Sequence, residues 1–143
     1  KVMSFSNKTM SESFYMSNMS PQKPSFNRGI WRKLEEQVRS WIHVSDTLYV
    51  VTGPVLDKKL GSIGANNVSI PRAYYKVILR FKNSQITGIG FLLNNEKSSL
   101  SLNSFTTPID SIETVTGLDF FYQLNDSIEN SVEENNTLED FIK

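Results

Sequence analysis

Asn27, Glu35 and Arg39 are spaced by eight and four in a stretch that reads as one helix, and a polar turn, Ser17-Asn18-Met19-Ser20-Pro21-Gln22, leads into it. Eight residues carry a helix about 80° past two full turns, so Asn27 and Glu35 can address one region, with Arg39 about one turn further on. Arg39 offers a planar guanidinium fork that matches two phosphate oxygens at once. Glu35 at i−4 can fix that fork, or can form no more than a solvated helix pair worth about 0.3–0.5 kcal/mol. Asn27 suits the N-cap, where its side-chain oxygen accepts from the orphan amides that open a helix.

The elements that position these residues follow from hydrophobic spacing. Ile30, Leu34, Val38 and Trp41 recur at i, i+4, i+8 and i+11, which predicts a helix over 28–41 with one apolar stripe. Asn27, Glu35 and Arg39 lie off that stripe. Phe14-Tyr15-Met16 reads as a short extended piece before the turn. Leu48 to Val51 reads as a buried strand that closes on a Gly53-Pro54 turn, and Gly61 to Asn67 as a loop. Pro71 then opens a strand in which Tyr75, Val77, Leu79 and Phe81 alternate with Lys76, Arg80 and Lys82, the period of a half-buried strand. Ile86 to Leu93 is its expected antiparallel partner across Asn83-Ser84. Asn94 to Leu102 reads as a polar loop, and Thr107-Pro108 starts a short helix through Glu113. After Phe120-Phe121, residues 126–143 read as an acidic tail of low hydrophobicity. A sheet with helices but no βαβ alternation is α+β.

A chain of 143 residues, 38% of them hydrophobic, suffices for one cored domain. No run approaches the ~18 apolar residues that span a bilayer, so no membrane partner is expected, and the first residues show no charged-then-apolar signal pattern. With no cysteine, disulfides and thiolate metal sites are excluded. The zero net charge hides an asymmetry: residues 1–109 hold 14 Lys and Arg against 6 Asp and Glu, and residues 110–143 hold 1 against 9. Both runs suit ordinary solvated faces, but a basic body also suits a polyanion, whose phosphates release counterions on contact.

The turn and helix together read S-N-x-x-P-Q-x-x-x-x-N-x-x-x-W-x-x-L-E-x-x-x-R. Further on stand Thr52-Gly53-Pro54, Pro71-Arg72-Ala73-Tyr74-Tyr75-Lys76-Val77, and Ile112-Glu113-Thr114-Val115-Thr116-Gly117-Leu118-Asp119-Phe120-Phe121. In this order the four elements span almost the whole chain and resemble the DNA/RNA non-specific endonucleases, the ββα-metal or His-Me finger nucleases. The resemblance implies an antiparallel sheet with a metal-site helix packed on it. It also implies hydrolysis of phosphodiester bonds in DNA and RNA without sequence specificity, leaving 5′-phosphate ends.

The resemblance assigns roles residue by residue. Asn27 is the direct ligand of the metal, expected to be magnesium, with manganese or another divalent cation as the substitute. Magnesium keeps several waters, so a single protein ligand is chemically reasonable for it. Glu35 acts on the metal through water, Arg39 holds phosphate, and Asn18 lies near the scissile phosphate. Arg28, Arg39, Arg72 and Lys76 are the expected nucleic-acid contacts. Trp31 is expected in the core, and Gln22 to brace the turn.

One family element is missing. The general base is the histidine of a D-R-G-H motif shortly before the S-N-x-x-P-Q turn, whereas the single histidine here, His43, follows Trp41-Ile42. Residues 1–125 are therefore expected to be the C-terminal part of a nuclease domain, with the D-R-G-H segment as an absent partner and a homodimer as a further possibility. A secreted or periplasmic location of the full-length protein is the family expectation. Two alternatives stand beside this: a catalytically incomplete nucleic-acid-binding fragment or relative, and a structural or inhibitor-binding module of a toxin system whose acidic tail is the interaction element.

Overall fold

The computed structural model describes residues 6–12, 19–135 and 137–142. The extended piece expected at Phe14-Tyr15-Met16 lies outside the described residues. Helix α1 spans Asn7–Glu12, and a bent helical run follows: α2 (Pro24–Phe26), a π-helical turn (Asn27–Trp31) and α3 (Arg32–Ile42). The sheet holds β1 (Thr47–Ile63), β2 (Val68–Lys82), β3 (Gln85–Asn94) and the short β4 (Thr106–Thr107), in the order β1-β2-β3-β4. All its pairings are antiparallel. Helices α4 (Ile109–Thr116), α5 (Asp126–Glu133) and α6 (Leu138–Ile142) complete the chain.

The stripe Ile30, Leu34, Val38 and Trp41 is buried. With Phe26 and Trp31 it packs on Tyr74 and Ile78 of β2 and on Ile89, Phe91 and Leu93 of β3. The opposite face of β2, at Ala73, Tyr75 and Val77, packs with Val55, Ile109, Ile112 and Phe120. Helices thus cover both faces, so β2 is buried at every position from Ala73 to Arg80 and not on alternate residues as the period-2 pattern predicted. Asn83 and Ser84 take φ of 49° and 64°, the doubly left-handed turn that matches the twist of a two-residue hairpin. The β2–β3 hairpin therefore forms where expected.

Three differences from the sequence reading concern the sheet and the C-terminal segment. Strand β1 does not stop at Gly53-Pro54 but continues to Ile63, with register shifts between Val55 and Lys59 and between Lys59 and Gly61. As the sheet edge it has one unladdered side, which is where a strand proline is tolerated. β2 begins at Val68, ahead of Pro71, because Gly61, Ser62 and Ile63 pair with Ile70, Ser69 and Val68. The acidic segment is not a loose tail. Arg80, 3% exposed, donates to the Phe141 carbonyl (2.6 Å) and to Ser45 Oγ (3.1 Å), and the Phe141 ring lies 5.0 Å from Trp41. Phe141, with Val132 and the partly buried Leu138, supplies the apolar anchor that average composition concealed.

Candidate active site

Asn27 is not the N-cap. It has helical φ/ψ of −56° and −48°, and its backbone N–H donates to the Lys23 carbonyl (3.0 Å), so the helical run starts a turn earlier, with Pro24 in its first turn. Its side chain is thereby free of capping. The Nδ2 donates to Gln22 Oε1 (2.6 Å), which fixes the amide orientation and leaves Oδ1, a hard oxygen donor, on the other side of an exposed residue. The helix is broken at Gly29 (φ −102°, ψ −114°) within a π turn, a feature that recurs at functional sites.

The turn that presents Gln22 is held from behind. Asn95, fully buried, accepts from the Lys23 N–H (2.8 Å) through Oδ1 and donates through Nδ2 to the carbonyls of Pro21 (3.2 Å) and Pro71 (3.0 Å). Tyr74 donates its hydroxyl toward Ser20 Oγ and the Pro21 carbonyl, both at 2.9 Å, and burial raises its pKa, which keeps the phenol a donor. Asn95 carried no sequence signal beyond a doubled asparagine at a strand end. Its role comes from contacts more than seventy residues distant.

One α-helical turn separates Glu35 from Arg39, and Oε2 and Nη2 stand 4.0 Å apart, both side chains partly exposed. Lys76 reaches their neighbourhood from β2, 6% exposed, with Nζ 2.7 Å from Thr52 Oγ1 and 4.7 Å from the centroid of the Trp31 ring. Burial lowers its pKa, the Glu35 carboxylate opposes that shift, and the Arg39 guanidinium adds to it. Glu35, Arg39 and Lys76 therefore sense one another, and as ionised groups their charges leave a net positive site suited to a phosphate. Thr52, from the T-G-P element, orients the lysine. Trp31 is core, 4% exposed and tilted against Phe26 and Tyr74.

The remaining sequence candidates are more dispersed. Arg28 is exposed one residue after Asn27. Arg72 is half-buried on β2, four residues and so about 13 Å along the strand from Lys76. Asn18 lies outside the described residues. His43 is exposed at the C-terminal cap of α3, sixteen residues from Asn27, roughly 24 Å along a helix.

The motif order, the sheet and this helix match one family in direct comparison: the model for DNA/RNA non-specific endonuclease fits residues 1–127. The chain belongs to the DNA/RNA non-specific endonuclease family. It is 33% identical over 129 residues to the mitochondrial endonuclease G of Bos taurus, covering 81% of this chain and 43% of that protein. It is 32% identical over 124 residues to a nuclease of Serratia marcescens, covering 82% and 47%. A solved structure of an EndoG/EndoGI complex, described as showing the mechanism of EndoG inhibition, superposes with a TM-score of 0.75 at 34% identity, covering 85% of this chain and 55% of that one. The fold is thus the α+β, ββα-metal nuclease fold. The chain spans less than half the length of these curated relatives.

Proposed function

We propose that this chain carries the metal-helix portion of a divalent-metal-dependent endonuclease that hydrolyses DNA and RNA without sequence preference and leaves 5′-phosphate ends. The observation that carries the reading is the state of Asn27: inside the helix, relieved of capping, its amide nitrogen tied to Gln22 and its oxygen left to accept. A hard amide oxygen with a carboxylate two turns on fits magnesium, which takes oxygen donors and tolerates few protein ligands. Bound there, the cation would neutralise charge building on the phosphate and on the leaving oxygen. The chain's own residues do the rest. Asn27 holds the site, Glu35 accepts from water beside it, Arg39 clamps phosphate oxygens, and Lys76 adds positive charge from beneath while bracing on Thr52. Arg28 and Arg72 extend the backbone contacts, and Asn18 belongs near the scissile phosphate. Contacts to backbone and not to base edges give no sequence code.

The base in this reading is a histidine of a D-R-G-H segment outside these 143 residues, because His43 is too far along the helix to reach water near Asn27. Plasmid and RNA digestion with magnesium tests the reading, comparing this chain with a version extended upstream through D-R-G-H. The chain alone should be inactive or nearly so, since general-base assistance is worth about 10² to 10⁴ in rate. Full activity from the chain alone would return the search for the base to His43. An extended protein that binds nucleic acid but never cuts would favour the non-catalytic binding relative.

A further inference from the structure

The far side of the sheet holds charges that the nuclease reading does not use. Asp110 and Glu113, at i and i+3, share a face of α4, and Glu133 comes from the last turn of α5. One carboxylate oxygen from each lies within 4.8 Å of the others. Glu129, one turn before Glu133, adds a nearby carboxyl. Acidic clusters on a surface are common and by themselves indicate nothing. Here, however, Glu133 is only 6% exposed, and its Oε1, like that of Glu129, is shut off from solvent with no hydrogen-bond partner. Buried polar atoms are nearly always satisfied, and an orphaned oxygen on a buried carboxylate that stands within 4.8 Å of two others lacks a positive partner.

We propose that Asp110, Glu113 and Glu133 form a structural calcium site, separate from the Asn27 site, that clamps α5 to α4. An all-carboxylate donor set favours hard cations over zinc or copper. Two oxygens on one ion can stand apart by at most twice the metal–oxygen distance, about 4.6–5.2 Å for calcium and about 4.0–4.2 Å for magnesium. The carboxylate oxygens here, none more than 4.8 Å from another, fall within the span calcium accepts. Glu113 also accepts the Phe120 N–H on Oε1 (2.5 Å), so the same carboxylate ties the segment after α4 to the site. On the other side α5 lies against β3 so closely that a Cβ at Gly88 would meet the Val132 carbonyl at 2.6 Å. The ion would thus fasten the acidic C-terminal helix to the sheet.

The test is thermal melting and calorimetric titration of the EDTA-treated chain with calcium chloride alone, neither of which depends on nuclease activity. With affinity in the range of extracellular calcium modules, Kd on the order of 10⁻⁴ to 10⁻³ M, calcium near 1 mM should raise Tm by about 1–5 °C. The rise should vanish in E133Q and in D110N, persist in N27A, and be smaller with magnesium chloride. Asp110 is exposed in the first turn of α4, so D110N carries the test if E133Q fails to fold. No shift with calcium, a shift that survives both D110N and E133Q, a shift lost in N27A, or a larger response to magnesium would each overturn the assignment.

Discussion

The two faces of the sheet treat buried charge in opposite ways. Under the helical run of residues 24–42, Lys76 and Arg80 enter the core with partners in place: Thr52 and the Trp31 ring for one, Ser45, the Phe141 carbonyl and the Phe141 ring for the other. On the side of α4 and α5, Glu133 enters the core among Glu113, Glu129, Asp110 and Asp119, every one of them acidic. A buried charge with donors or acceptors around it is fixed in space and can position something else. One surrounded by its own sign must take up a proton or an ion.

The sharpest way to break this comparison is at Asn27. In the upstream-extended nuclease, N27A should lower kcat on the order of 10³-fold or more, the scale of losing a preorganised electrostatic contact to the transition state. Its Tm should scarcely move, since the side chain is exposed and outside the core. A large loss of Tm with activity retained would make Asn27 structural. Phe141→Ala tests the other side of the molecule: deleting a fully buried ring that packs on Trp41 should cost about 3–5 kcal/mol, read by denaturant unfolding. A cost near zero would return α6 to the status of a loose tail.

Lys76 distinguishes position from stability. K76M keeps the buried stem and removes the charge, so activity should fall about 10- to 100-fold while Tm holds or rises. An unchanged rate would detach Lys76 from the site. The acidic face should reveal itself by pH. Burial first, then the neighbouring carboxyls, push the Glu133 pKa from 4.5 to about 7. Between those values the metal-free fold keeps a proton that the unfolded chain releases, so stability should decline as pH rises from about 4.5 to 7 and level off above. E133Q should flatten that decline in Tm measured with EDTA present; an unaltered slope would clear Glu133. The smallest effect is expected at Arg28. R28A should reduce the salt slope of nucleic-acid binding by about one phosphate contact, equally for unrelated sequences.

Much of the helical face was readable in advance because period and motif are local. The apolar stripe marked which side of the helix enters the core, and the off-stripe residues Glu35 and Arg39 remain partly exposed on it. Asn83-Ser84 specified its hairpin because two adjacent left-handed residues are a short-range device. The Asn27 cap misled for a similar reason. Asparagine is a good local N-cap, but Pro24 is a good first helical residue too, and Asn95 and Tyr74 hold the turn before it.

The sequence by itself determined the family and the apolar stripe, and it nominated the residues proposed for metal and phosphate, since these depend on residue type and near spacing. Tertiary structure decided which distant groups meet. Lys76 finds Thr52 across 24 positions, Arg80 finds the Phe141 carbonyl across 61, and Asn95 finds Pro21 across 74. Periodicity reports that a face is buried but not what covers it, so a strand with helices on both sides looks half-exposed and a helical acidic segment looks like a tail. The partnered lysine and the partnerless glutamate look alike in one dimension. Only the packing around each shows that the first is held by donors and acceptors and the second is shut in among carboxylates.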